Sequence, residues 1–285
     1  MAEGAIKPYC IELGDYAISG MQSGNSNSPT LVCLHGWLDN AASFLPLMPW
    51  LNNFHIIAID WPGHGLSDHR SSDAHYHFLD YVYDLLLLWQ ANQWSDVHIV
   101  GHSMGGMIAT AFAAAFPEKV TSLTLIDALG FISSEEKQAT AQLRKGLLSR
   151  LKVNEKSTSS PIELASAVQA RVQVSDLRYD HAKLIIERGL KPVSNGYVWR
   201  SDKRLRTISP YRLSPGQADQ IFDDIVKPTQ LLYGDKGMSF VSDAIARYRS
   251  KNKLVAVHEL NGGHHVHMEQ PQQCAELIQS FINGK

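Results

Sequence analysis

Cysteine is scarce in this 285-residue chain: Cys10, Cys33 and Cys274 are widely spaced and form no C-x-x-C pair. An odd count leaves at least one thiol unpaired in any intramolecular scheme, so all three are read as reduced. Cys33 falls in an apolar run and reads as a small buried residue rather than a nucleophile. An excess of charge of one sign is also missing, with 26 basic against 28 acidic residues and a pI of about 6.7. That balance leaves no electrostatic footprint for nucleic acid or an anionic membrane surface, and favours a small neutral partner. No run approaches the roughly 20 apolar residues of a spanning helix. The N-terminal Met1–Pro8 lacks the apolar stretch of a signal peptide. The expectation is a cytoplasmic protein without membrane insertion. Internal repeats are absent, and the only low-complexity tract is the short turn at Lys156–Ser160.

What is present is a hydrophobic content of 44%, enough for one large core with an inserted subdomain. Residues 9 to 20 alternate loosely around Gly14-Asp15 and predict an antiparallel hairpin. Thr30–Leu34, His55–Ile59, Val97–Val100 and Ser122–Ile126 are short apolar runs, most of them followed by turn residues and a helical stretch. Such continuous runs predict a mainly parallel sheet covered on both faces. Asp80–Gln93 and Met104–Phe116 predict amphipathic and buried helices, the second ended by Pro117. From about Phe131 to Ile225 the pattern changes to charged, helical-looking segments such as Ser133–Lys152 and Pro161–Val174, without a clear strand between them. The sheet rhythm resumes at Thr229–Tyr233 and Leu254–His258 and closes with a helix at Pro271–Ile282. Residues 1–130 and 226–285 are therefore read as the core, and 131–225 as an inserted helical lid.

Gly101-His102-Ser103-Met104-Gly105 lies between a predicted strand and a predicted helix, which makes it a nucleophile elbow with Ser103 at the apex. A β-carbon at Gly101 or Gly105 would clash with the neighbouring strand or helix. A serine nucleophile needs a base, an acid to orient that base, and donors for the developing oxyanion. Met104 N–H, one residue past the serine, is one candidate donor. The loop after the last strand offers three histidines for the base, His264, His265 and His267. Without a carboxylate or cysteine beside them at a familiar spacing, they do not read as a zinc site, and no metal is assigned.

Taken in order, His35-Gly36, Asp60-Trp-Pro-Gly63-His64-Gly65, Gly101-His-Ser-Met-Gly-Gly106 and Gly262-Gly-His-His265 resemble the α/β-hydrolase superfamily over nearly the whole chain. The stretches His35–Ala41 and Gly196–Leu205 also resemble its serine hydrolase-like (kraken-type) esterase subgroup. The resemblance implies an α/β-hydrolase fold, with a mostly parallel eight-stranded sheet, helices on both faces and an inserted helical lid. Aligning Glu269 and Pro271 with the family places His264 at the base position, with His265 second. The residue after His-Gly, Trp37, is implied as the second oxyanion donor. His64 and the Asp60 turn are implied to be structural.

The acid departs from the family pattern. Where Gly-x-x-Asp is expected, the chain reads Gly234-Asp235-Lys236-Gly237, with glycine at the acid position. Asp127, at the end of the strand beyond the nucleophile, is a location that some relatives use; Asp235 is the alternative. The serine nucleophile sets the chain apart from dehalogenases and epoxide hydrolases of this fold, which carry aspartate there. The expectation is a serine carboxylesterase acting on a small-molecule ester through an acyl-enzyme, with no metal or organic cofactor. An enclosed apolar pocket under the lid would favour small to medium acyl groups. A carbon-carbon bond hydrolase or thioesterase would share the triad, and the vacancy at Gly237 leaves room for a non-catalytic ligand-binding member.

Overall fold

The computed structural model describes residues 5–155, 160–248 and 256–284. Strands β1 (Lys7–Glu12) and β2 (Ala17–Ser23) form the expected antiparallel hairpin, with Glu12 opposite Ala17 and Gly14 at φ +72° in the turn. Then follow β3 (Thr30–Leu34), β4 (His55–Ile59), α1 (Phe78–Asn92), β5 (Val97–His102), α2 (Met104–Ala115) and β6 (Val120–Ile126). The segment between β6 and β9 carries α3 (Ala139–Glu155), α4 (Leu164–Gln173), α5 (Tyr179–Gly189), β7 (Leu190–Val193), β8 (Gly196–Trp199) and α6 (Pro215–Asp223). The chain closes with β9 (Thr229–Gly234), α7 (Ser239–Tyr248), β10 (Ala256–Leu260), α8 (Val266–Glu269) and α9 (Pro271–Ile282).

Eight strands form one sheet in the order β1-β2-β4-β3-β5-β6-β9-β10, parallel from β4 to β10, with β2 antiparallel to both β1 and β4. The uninterrupted apolar strands reflect burial on both faces. In β3, Val32 and Leu34 pack with Trp89, Ile108 and Phe112 of α1 and α2, whereas Leu31 and Cys33 pack with Phe44, Leu47 and Ile278 on the opposite face. A period of two on each face thus becomes a continuous apolar run in sequence.

Two features differ from the sequence reading. Strand β5 runs to His102, two residues beyond the predicted Val100, so the extended chain reaches the serine itself. In the inserted segment, β7 and β8 pair as a short antiparallel hairpin where helices alone were expected. Its strands are four residues each, too short to announce themselves by alternation. Leu254 and Val255 of the predicted last strand, and residues 156–159 of the predicted turn, lie outside the described residues.

The inserted segment has its own small core around Val168, Ile185, Ile186 and Leu190, joined by Met268 of α8. It lies over the loops that follow β3 and β4. Trp37 Nε1 donates to Leu205 O at 3.0 Å, Asp202 N–H donates to Gly63 O at 2.9 Å, and Arg188 pairs with buried Asp60 at 2.8 Å. All of these loops leave the carboxyl ends of parallel strands, the edge where side chains from different strands converge.

Candidate functional site

Ser103 sits between β5 and α2 at φ 51°, ψ −121°, a conformation that a non-glycine residue holds only when its surroundings impose it. The surroundings are glycines. A β-carbon on Gly101 would lie 2.6 Å from Gly106 Cα, and one on Gly105 would lie 2.1 Å from Leu34 O. The clash expected from sequence is therefore present at both positions, and a third, Gly106, faces Ala128 at 2.6 Å. Ser103 N–H is tied to Ile126 O at 3.0 Å, which fixes the elbow to the neighbouring strand.

His264 stands on the loop between β10 and α8 and lines the same cavity as Ser103, a space of about 580 Å³. Its Nδ1–H donates to Asp127 Oδ2 at 2.5 Å, which leaves Nε2 as the basic nitrogen. Asp127 follows β6, is fully buried and holds a positive φ of 44°. Its Oδ2 also accepts Met238 N–H at 3.0 Å. A β-carbon on Gly237 would lie 2.3 Å from Asp127 Oδ1, so the glycine at the usual acid position leaves the space that the Asp127 carboxylate fills. Asp235, the alternative acid, is exposed and accepts Gly262 N–H at 2.9 Å. It serves the loop backbone rather than His264.

Trp37 lies in the turn after β3, and Met104 is the first residue of α2. Among the described residues neither backbone N–H has an acceptor in the protein. Both belong to segments bordering Ser103: a β-carbon on Gly36 would lie 3.1 Å from Ser103 Cβ, and Met104 follows it in the chain. Met104 N–H also carries the positive end of the α2 dipole.

The histidines beside these residues divide by environment. Burial pushes His35 down to about 4 and His64 to about 3. Neutral His35 accepts Trp61 N–H at 3.0 Å, and neutral His64 accepts Leu38 N–H at 3.2 Å, so both brace turns. His267 is buried between Phe44 and His102, and burial together with the His265 charge holds it near 3. His102 donates Nε2–H to His264 O at 2.9 Å and so ties the base loop to the elbow. His265 alone is lifted, to about 9, because Asp39 and Asp176 together outweigh its burial.

Asp39 was not singled out by sequence, and tertiary structure brings it to His265 across 226 positions, Oδ2 to Nε2 at 3.1 Å. Asp39, His102 and His265 place one ligand atom each within 4.8 Å of one another, a spacing that could hold a metal ion. Yet Asp39 and His265 already satisfy each other, and Arg171 binds the other Asp39 oxygen at 2.6 Å. The charges of Asp39 and Asp176 are matched by those of His265 and Arg171, so a dication would unbalance a neutral buried cluster. Arg171 and Asp176, from α4 and the loop after it, were likewise missed. Nothing local in the sequence marks either of them, and the one available signal was Asp39 inside the His35–Ala41 motif.

The cavity wall is more polar than the apolar pocket expected under a lid. Arg171, Asp176, Lys236 and His265 line it beside Trp37, Val174 and Met238. The residues of the inserted segment come from the end of α4 and the loop after it, where polar residues predominate.

A family model described as alpha/beta hydrolase fold matches residues 29–271. The Serine hydrolase-like protein of Danio rerio is 31% identical over 277 residues, spanning 93% of this chain and 85% of the relative. The crystal structure of a hypothetical protein from Pseudomonas aeruginosa PAO1 superposes with a TM-score of 0.91 at 33% identity, covering 98% of each chain. The thioesterase domain from the curacin biosynthetic pathway gives 0.82 at 25% identity, covering 97% of this chain and 99% of that one.

Proposed function

The chain belongs to the α/β-hydrolase family, and from that premise we propose that it is a serine carboxylesterase cleaving small to medium acyl esters through an acyl-enzyme on Ser103. The observation that carries this reading is the 2.5 Å contact of His264 with Asp127, in a cavity that His264 shares with Ser103. Asp127 holds the His264 ring in the tautomer that leaves Nε2 free and stabilises the imidazolium that forms.

In the first half-reaction Ser103 Oγ attacks the ester carbonyl while its proton passes to His264 Nε2. Trp37 and Met104 N–H groups receive the oxyanion. His264 then protonates the departing alkoxide, which leaves as the alcohol. In the second half-reaction His264 takes a proton from water, and the resulting attack on the acyl-enzyme releases the carboxylic acid and restores Ser103. The chemistry is complete with these side chains and two backbone donors.

Residues 131–225 act in this reading as a cap over the strand ends. Its charged contributions to the cavity wall favour a short acyl group over a long alkyl chain, because burying Arg171 or Asp176 against methylenes would leave charge unsolvated. Asp127 beside Gly237 weighs against a non-catalytic binding role, since the acid position that looked vacant is filled from another strand. Free Cys10, Cys33 and Cys274 support the cytoplasm as its compartment. Among the described residues no helix is long and apolar enough to cross a membrane.

The test is hydrolysis of p-nitrophenyl esters over a range of acyl lengths by wild type and Ser103→Ala. Turnover highest with short chains and lost in the variant is the expected result. Activity that survives Ser103→Ala overturns the mechanism, and a maximum at long chains overturns the substrate class. The likeness to a thioesterase domain makes a matched set of thioesters the appropriate second panel.

A further inference from the structure

We propose that Asp176 and His265 are positioning residues for this reaction: the His265 side chain, held between Asp176 of the cap and Asp39 of the loop after β3, keeps the adjacent His264 in place and latches the cap over Ser103. The inference rests on the esterase reading above and adds the means by which its parts are held together.

Asp176 grips His265 twice. Its Oδ1 lies 2.8 Å from His265 Nδ1, and its Oδ2 accepts the His265 backbone N–H at 2.9 Å. One carboxylate from the cap therefore fixes both the backbone and the ring of the residue that follows the base. The loop is shaped to receive it. A β-carbon on Gly263 would lie 2.1 Å from Asp176 Oδ2, so the glycine before His264 is the gap into which the carboxylate docks.

The other ring nitrogen carries the connection onward. His265 Nε2 reaches Asp39 Oδ2 at 3.1 Å, and Asp39 N–H closes a turn on Gly36 O at 3.1 Å, around the Trp37 donor. Asp39 Oδ1 then returns to the cap through Arg171 at 2.6 Å. With His102 Nε2–H bound to His264 O, the elbow, the oxyanion loop, the base loop and the cap all meet within one residue of His264.

The latch depends on charge. The His265 side chain is only 4% exposed, and burial opposes its ionisation, yet two carboxylates hold its pKa up at about 9. The remaining groups facing it are His102 at 4.8 Å between ring centroids, His264 at 5.2 Å, His267 at 6.1 Å, and His181 on α5, whose pKa is lowered partly by the His265 charge. Burial keeps His102 and His267 neutral near pH 7, so they do not compete for the two carboxylates. Protonated His265 thus joins the cap to the core up to about pH 9, and its deprotonation above that leaves Asp39 and Asp176 as facing anions with no bridge.

The experiment follows Ser103 labelling by a fluorophosphonate, together with kcat and KM for a short-chain ester, from pH 6 to 10 in wild type, Asp176→Asn and Asp176→Glu. Wild type is expected to lose kcat as pH rises through about 9. Asp176→Asn is expected to lower kcat by about 10- to 100-fold, the scale of a base misplaced by about 1 Å. Its alkaline limb should move to lower pH, because His265 loses one of the two carboxylates that raise it. Asp176→Glu, which restores the charge, should return the limb towards wild type. An unshifted limb and an unchanged labelling rate in Asp176→Asn overturn the latch. A wild type that resists labelling overturns the Ser103 reading instead. Should Asp176→Asn fail to fold, Arg171→Gln, which disturbs the same cluster through Asp39, is read by the same profile, and an unshifted limb there has the same meaning.

Discussion

Strand β3 buries Leu31, Val32, Cys33 and Leu34 without a gap, whereas helix α3 of the inserted segment leaves Leu143, Leu147 and Leu151 exposed along one stripe. The sheet region is held by apolar side chains interdigitating on both faces, an attraction that does not vary with protonation. At its α6 end the inserted segment packs Phe222 and Ile225 against Leu125 and Leu231, whereas around the cavity it meets that region through ions: Arg188 with Asp60, Arg171 with Asp39, Asp176 with His265. Such pairs add little net stability against an apolar alternative, but losing one member leaves a buried charge without a partner. The ionic seam beside the cavity should therefore loosen more readily than the sheet. Both regions contribute to the cavity, the core with Ser103 and His264, the cap with Arg171 and Asp176.

The largest expected effect lies where the core supplies the acid. Asp127→Asn should lower kcat about 10⁴-fold with the fold intact, by allowing the wrong His264 tautomer. Asp235→Asn should leave kcat near wild type, and steady-state kinetics on the pair would reverse the assignment if the losses were exchanged.

Stability measurements come next. Phe112→Ala, which empties a site beside Trp89 and Phe116, should cost about 3–5 kcal/mol in urea unfolding. Arg188→Met should cost a comparable amount, about 3–5 kcal/mol, by stranding Asp60, which is fully buried. The two should differ in where the loss falls. Hydrogen exchange is expected to rise in α5 of Arg188→Met before it rises in β3 and β5, and uniform loss in both variants would erase the contrast between the regions.

A smaller effect is the pH response of the seam. Since the His265 pKa is raised from 6.5 to about 9, its contribution to stability is fully present below about 6.5 and is lost as pH rises through about 9. Amide protection in the cap should fall over that interval while the sheet's own protection holds. Smallest of all, Leu147→Ala on the exposed stripe should change stability by no more than about 0.5 kcal/mol in the same urea assay.

Much of the core was legible because its signals are local. The limits of β3, β4 and α9 coincide with the apolar runs and caps that predicted them. The elbow was legible because glycine is the only residue that fits at Gly101 and Gly105, and sequence preserves that requirement. The hairpin of the inserted segment was not legible, since four-residue strands are too short to show a period. Nor were Asp39, Arg171 and Asp176, because a charged residue in a turn, a helix or a loop looks the same in sequence whether it faces water or a buried imidazole.

Local rules thus determined the strands, the elbow and the serine at its apex, since backbone sterics and alternating burial act over a few residues, while the choice of His264 among three histidines came from the resemblance to the family. Which aspartate meets His264, and which meets His265, was decided only in three dimensions. Asp127 reaches His264 across 137 positions and Asp176 reaches His265 across 89, and a hydrogen bond depends on proximity in space, which the order of the chain does not encode.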